Sequence, residues 1–172
     1  MSRQQEEEYL VEPVGEDEAA ALHQLIRVAG HRAYAVLSEA VFEEWLQSMY
    51  SVERISERIQ DPNILIYRIG DKTAPWATAS LTFEEDVAVF GGLYCRHERQ
   101  GLGSALLKHR LAVARASSAQ LARAIPLSEN HASISLLQKH GFTLAREENA
   151  GERYGADDPW AHLMVSDMEL IL

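Results

Sequence analysis

The sequence has one cysteine in 172 residues, Cys95. No internal disulfide can form, and a reducing cytoplasm is the expected setting. No apolar run approaches the ~18 residues that a membrane span needs. The first eight residues, Met1-Ser2-Arg3-Gln4-Gln5-Glu6-Glu7-Glu8, lack the apolar centre of a signal peptide and read as a frayed acidic tail. Metal-ligand patterns are also missing. One cysteine and seven scattered histidines make no motif such as His-Glu-x-x-His, so no metal is expected. Basic residues are few: 16 Lys and Arg stand against 26 Asp and Glu, for a net charge of −10. That deficit argues against a broad nucleic-acid surface, because phosphate neutralisation dominates such binding. It fits a cationic small-molecule partner, or simply a soluble surface.

What is present is ordinary for one soluble domain spanning 1–172: 47% hydrophobic and 24% charged residues. The chain is organised around residues 87–107. An apolar run, Val87 to Cys95, reads as a strand, and Gly91-Gly92 inside it suggests a bulge or a close backbone approach. A basic loop, Arg96-His97-Glu98-Arg99-Gln100, leads to Gly101-Leu102-Gly103-Ser104 and a helical run. The first turn of a helix offers unpaired N–H groups at the positive end of its dipole. Glycines at 101 and 103 would let an anion reach them, and a pyrophosphate is the expected occupant. The plainer reading is a tight turn with close helix–strand packing. No Lys-Ser/Thr pair follows the second glycine, so this is not a Walker A loop. A third glycine and a later acidic residue are missing, so it is not a full dinucleotide fingerprint either. Arg96, Arg99, Lys108 and Arg110 against Glu98 make a local basic patch that suits a polyanion; Lys108 and Arg110 alternatively only solvate a helix face.

Periodicity gives the remaining elements. Tyr9 to Val14 reads as a strand and Glu16 to Ala29 as an amphipathic helix stopped by Gly30. Residues 31–50 are mostly helical in pattern, with aromatics that suit a core better than a pocket. Ser51 reads as the cap of a short helix ending near Gln60. Asn63 to Ile69, Ala77 to Phe83 and 87–95 are three strands joined too tightly for crossovers, hence an antiparallel meander. A helix runs from Gly101 to about Ala116. Leu121 to Leu127 is extended, Ser128 or Asn130 starts a helix to His140, and Phe142–Arg146 and Ala161–Ile171 are closing strands.

This order, with Gly-x-Gly after the fourth strand, resembles the GNAT acetyltransferase superfamily over roughly residues 8–172. Two motifs carry the resemblance. Glu98-Arg99-Gln100-Gly101-Leu102-Gly103 matches the acetyl-CoA signature Gln/Arg-x-x-Gly-x-Gly/Ala except at its first position. Asn130, Ser133, Leu136, Lys139, Gly141 and Phe142 match Asn-x-x-Ala/Ser-x-x-Leu-x-x-Lys-x-Gly-Phe. The resemblance implies an α/β (α+β) fold: a mixed, mainly antiparallel central sheet of about six to seven strands with helices on both faces. It implies an N-acetyltransferase using acetyl-CoA as cosubstrate, and loosely the polyamine and small-amine branch. The alternatives are a non-catalytic acetyl-CoA sensor and a peptide or protein N-acetyltransferase. The implied partners are acetyl-CoA and a small amine, without nucleic acid or membrane, and with a homodimer left open.

By position, Leu93, Tyr94 and Cys95 would offer a strand edge to the pantetheine amides and the acetyl carbonyl. Arg99, Gln100, Gly101, Leu102, Gly103 and Ser104 would cradle the pyrophosphate. Asn130 would bond the pantetheine arm or cap its helix. Pantetheine carries amides and is strand-like, so an open strand edge can pair with it. Catalytic residues cannot be carried over. The three positions that relatives use for acid or base hold Gly91, Ile125 and Leu137. Tyr94, His97, His131, Glu84 and Tyr154 are the available substitutes, each more at home in a structural or solvated role.

Overall fold

The computed structural model describes residues 9–158 and 160–172, so the acidic tail expected at 1–8 lies outside it. The strands are β1 (Val11–Pro13), β2 (Ile64–Gly70), β3 (Pro75–Glu84), β4 (Val87–Cys95), β5 (Leu121–Ala124), β6 (Thr143–Asn149) and β7 (Met164–Ile171). The helices are α1 (Ala19–Ala33), α2 (Glu39–Tyr50), α3 (Val52–Gln60), α4 (Leu102–Ala116), α5 (His131–Lys139) and α6 (Ala150–Tyr154). All seven strands join one sheet in the order β1-β2-β3-β4-β5-β7-β6, as the mixed, mainly antiparallel arrangement predicts. Among the described residues only β4 and β5 run parallel, joined by α4 as the crossover.

Side-chain alternation assigns the faces. Leu81, Ala88 and Phe90 pack with Leu107 and Leu111 of α4. Ile66 and Tyr94 pack with α1, α2 and α3, where Leu22, Leu25, Phe42 and Leu46 form the second core. Helices therefore cover both faces. The meander is tight: Glu84 pairs with Val87 across a turn in which Glu85 takes a φ of 54°.

Local chemistry explains where sequence and structure part. Residues 16–18 form a single 3-10 turn, and α1 runs from Ala19 through Gly30 to Ala33. Gly30 is no stop: a Cβ there would sit 3.0 Å from the Phe42 ring, so it is small because α2 packs on it. Ser38 caps α2 and Ser51 caps α3, each oxygen accepting an amide three residues on. The last two strands are separated by α6, capped by Asn149, which leaves β7 starting at Met164 rather than Ala161.

Candidate active site

β4 changes character midway. Val87, Ala88 and Val89 pair with β3 on one side and β5 on the other. Beyond Val89 the parallel pairing stops, and among the described residues the second edge of β4 has no strand partner. At the same point the β3 register shifts: Ser80 faces Gly91 and Thr78 faces Tyr94, so Ala79 opposes two residues, Gly92 and Leu93. That is the bulge expected from Gly91-Gly92, and Gly92 takes a φ of 52°. One inserted residue flips the alternation. Ala88 and Phe90 face α4 before the bulge; Leu93 and Cys95 do so after it, and Tyr94 turns to the α1 side.

The split between β4 and β5 opens a cleft of about 120 Å³. Leu93 and Asn130 line it, as do Leu136 and Ser133 of α5, and Tyr34 and Trp160 stand on the α1 side. Gly91, Ile125 and Leu137, the three positions that relatives use for acid or base, all line this same cleft. They line one cleft, and none of them carries a group that exchanges a proton.

The loop that enters α4 has the amides an anion needs. Among the described residues, the amides from Arg99 to Ser104 donate no hydrogen bond; Ala105 is the first that does, to Gly101 O at 2.9 Å. Arg99 and Gly101 have φ of 59° and 78°, with Gln100 between them on the ordinary side, an alternation that turns successive N–H groups toward a common concavity. Tyr9 Oη donates to Gln100 O at 2.7 Å and holds the loop from behind. The two glycines divide the labour. Gly101 supplies the left-handed turn, where a Cβ would make only an ordinary 3.8 Å contact with the Tyr9 ring, whereas a Cβ on Gly103 would lie 3.2 Å from Leu136 and 3.6 Å from Leu93. The plainer reading, close packing, is thus the reason for Gly103, and the anion reading rests on Gly101 and the free amides. Ser104 Oγ lies 3.1 Å from His140 Nε2, whose Nδ1 is 2.9 Å from Leu136 O.

Other expectations resolve individually. Asn130 Oδ1 caps α5, accepting from Ser133 N at 3.1 Å, while the residue also faces the cleft. The Cys95 carbonyl already accepts from Arg32 Nη2 at 2.9 Å. Arg110, read as a solvated residue or part of a basic patch, is buried instead, because it belongs to the sheet-facing stripe of α4. Glu84 is exposed at the closed end of β4, and His97 and His131 are exposed on their loop and helix start. Tyr154 is half-exposed beneath the Arg153 guanidinium. Tyr94 is buried, with its hydroxyl 3.1 Å from that of Tyr34.

Tyr34 and Trp160 are aromatic cleft residues that sequence reasoning did not single out as part of a site. Tyr34 sat among aromatics assigned to the core, and Trp160 lies in a loop with no periodicity. Tyr34, Trp45, Tyr50, Tyr94 and Trp160 form one aromatic cluster. Burial pushes both the Tyr34 and Tyr94 hydroxyls well above the ordinary tyrosine range, so both stay protonated at neutral pH. The group His31, Glu39 and Glu43 has metal-like spacing, but it lies on α1 and α2 and Glu43 is paired with Arg27. Among the described residues no helix is long and apolar enough to cross a membrane.

Comparison with known proteins places this geometry. A model of the acetyltransferase (GNAT) family matches residues 30–142, which include β4, the free-amide loop and α5. Comparison with curated protein sequences gives no match. The fold is similar to PaiA N-acetyltransferase from Thermoplasma acidophilum in complex with coenzyme A, at TM-score 0.79 and 17% identity over 95% of this chain and 98% of that one. It is similar to a GCN5-related N-acetyltransferase from Rhodopseudomonas palustris, at TM-score 0.77 and 17% identity over 99% and 100% of the two chains. The ribosomal-protein-S18-alanine N-acetyltransferase of Escherichia coli shares the fold at TM-score 0.70, with 18% identity over 94% of this chain and 92% of its own. The chain belongs to the acetyltransferase (GNAT) family and is an acetyl-CoA-dependent acyltransferase.

Proposed function

We propose that this enzyme acetylates the primary amine of a small molecule by direct attack on the thioester. The observation that carries this reading is the aromatic bridge over the far end of the cleft. A peptide acceptor would need a groove between the 30–50 region and the last hairpin. Tyr34 and Trp160 meet there with ring centroids 4.8 Å apart, and Trp45 stacks on Trp160 at 5.5 Å. A compact amine fits beside those rings better than an extended chain does.

The charges lining the site refine the acceptor. Gly92 belongs to the main cleft and to a smaller one under α1 and α3. The charged side chains lining the two are Arg58 and Arg110, and no carboxylate lines either among the described residues. A polyamine would place a second ammonium near these guanidinium groups without a counter-charge. A monoamine is therefore the better substrate, and the acidic surface of the protein contributes solubility rather than specificity.

The chemistry follows from the lining. The acceptor must lose a proton from an ammonium whose reference pKa is about 10.4 if lysine-like. Apolar walls and nearby guanidinium groups disfavour the ammonium, so the neutral amine forms more readily in the cleft than in water. The free edge of β4 at Leu93 can offer backbone N–H to the developing oxyanion, fixed in place before reaction. Tyr34, which lines the cleft and stays protonated, supplies a hydroxyl that can orient the acceptor, and the buried Tyr94 hydroxyl holds it in place. Thiol release from acetyl-CoA across a panel of monoamines, polyamines and peptides tests the reading. Turnover with monoamines supports it; turnover on peptides alone contradicts it.

A further inference from the structure

α4 turns one stripe toward the sheet. Leu102, Leu106, Leu107, Leu111 and Ala114 are buried on it, and so is Arg110, at 2% exposure. A cation in an apolar stripe is costly unless paired. Among the described residues no carboxylate pairs with this one. Burial pushes its guanidinium down to about 9, so it still carries charge at neutral pH.

Its hydrogen bonds explain half of its presence. Nη1 donates to Ser80 O at 2.8 Å and to Gly91 O at 3.1 Å, and Nε to Leu106 O at 3.4 Å. Ser80 and Gly91 face each other where the bulge interrupts the β3–β4 ladder, so Arg110 satisfies carbonyls at the break. The Phe90 ring lies 5.0 Å beneath the guanidinium. Pinning the bulge uses Nη1, and a neutral donor would serve that purpose. It leaves unexplained a full charge and an Nη2 group that has no acceptor among the described residues. Arg110 is part of the wall of the cleft between β4 and β5, beside Leu93 and Leu137. Burial pushes the Cys95 thiol, at the end of β4, up to about 11, and the Arg110 charge works against that rise.

We propose that Arg110 stabilises the departing thiolate of coenzyme A by charge, in place of a side chain that would protonate it. The inference rests on the acetyl-CoA site described above. The amine nitrogen forms a bond to the carbonyl carbon, and the carbon–sulfur bond breaks with its electron pair kept on sulfur. The surplus proton of the nitrogen goes to solvent water, and the thiolate takes a proton from water after it leaves. Arg110 acts through space on the negative charge, which is why a cleft with Gly91, Ile125 and Leu137 at the usual acid and base positions needs no proton donor at the sulfur.

The ionisation of the coenzyme A thiol, followed by its ultraviolet thiolate absorbance, reads this without turnover. Bound to the native enzyme, coenzyme A should ionise about tenfold or more readily than free coenzyme A, the effect of a nearby opposite charge. Arg110→Met should remove that gain and lower kcat about a hundredfold, with little change in KM for acetyl-CoA. Arg110→Lys should keep part of both. A thiol that ionises on the native enzyme as it does in water overturns the proposal, as does an Arg110→Met enzyme that keeps the gain. Should Arg110→Met not fold, calorimetry on the native enzyme with coenzyme A and its desulfo analogue decides. The preference for coenzyme A must grow with pH through the thiol range, and a constant ratio overturns the role of Arg110. Absence of coenzyme A binding strikes the site itself; normal binding with an unperturbed thiol strikes Arg110 alone.

Discussion

The two halves of β4 do different work. Val87–Val89 is hydrogen-bonded to a strand on each side, whereas Gly91–Cys95 keeps only β3. In the first half both edges are paired within the sheet. In the second, one edge has no strand partner among the described residues, and a ligand whose amides act as another strand could pair with it. The switch takes one inserted residue, placed where glycine permits the backbone turn. An enzyme site can thus be opened in a sheet by ending one pairing early, without disturbing the pairing on the other side.

The largest effect should come from Gly103→Glu, which puts a carboxylate beside the free amides at the head of the open half. Like-charge contact with a diphosphate costs several kcal/mol, so coenzyme A affinity should fall more than about a hundredfold by calorimetry. Leu136, 3.2 Å from the missing Cβ, must shift, so some stability is lost while the far-ultraviolet circular dichroism stays native.

The halves can next be compared with single-atom changes. Gly92→Ala forces a side chain onto a φ of 52°, with its Cβ 3.2 Å from Tyr50 Oη. It should cost about 1–2 kcal/mol in denaturant unfolding and lower turnover as well. Ala88→Gly in the closed half should cost about 1 kcal/mol and leave coenzyme A affinity unchanged. If both variants alter binding equally, the division of β4 is wrong.

Asn130 sharpens the division on the other wall of the cleft. Asn130→Ala should cost about 1 kcal/mol through the lost cap. Asn130→Asp keeps an oxygen for Ser133 N and removes the amide donor. It should keep stability, and a raised KM for acetyl-CoA would reveal a bond to the pantetheine arm.

The smallest effect lies away from β4. Arg27 Nη2 meets Glu43 Oε2 at 2.5 Å, and this bond holds the carboxylate below its usual range. A depressed carboxylate adds stability above its unfolded pKa of about 4.3 and loses it as pH falls through the lower folded value. A slight drop in Tm in acid should follow. Glu43→Gln should abolish that drop and leave binding at neutral pH untouched.

Much of this was legible in the residues. The bounds of β4, the meander and the caps at Ser51 and Asn130 follow from local rules of alternation and capping. Gly30 and Arg110 were misread for one physical reason. Their roles are set by partners distant in sequence, Phe42 on the next helix and the carbonyls of Ser80 and Gly91. A glycine that ends a helix and one that admits a ring look alike in one dimension. So do an arginine in water and one that serves a broken ladder. The aromatic bridge of Tyr34 and Trp160 joins segments 126 positions apart in numbering, and no local signal announces it.

Amide hydrogen exchange with and without coenzyme A reads the two halves of β4 and the loop after them separately. The amides of Arg99 to Ser104 should exchange rapidly in the free protein and become protected on saturation, while Val87–Val89 stays protected throughout. Coenzyme A binding that leaves 99–104 exchanging as before would contradict the account.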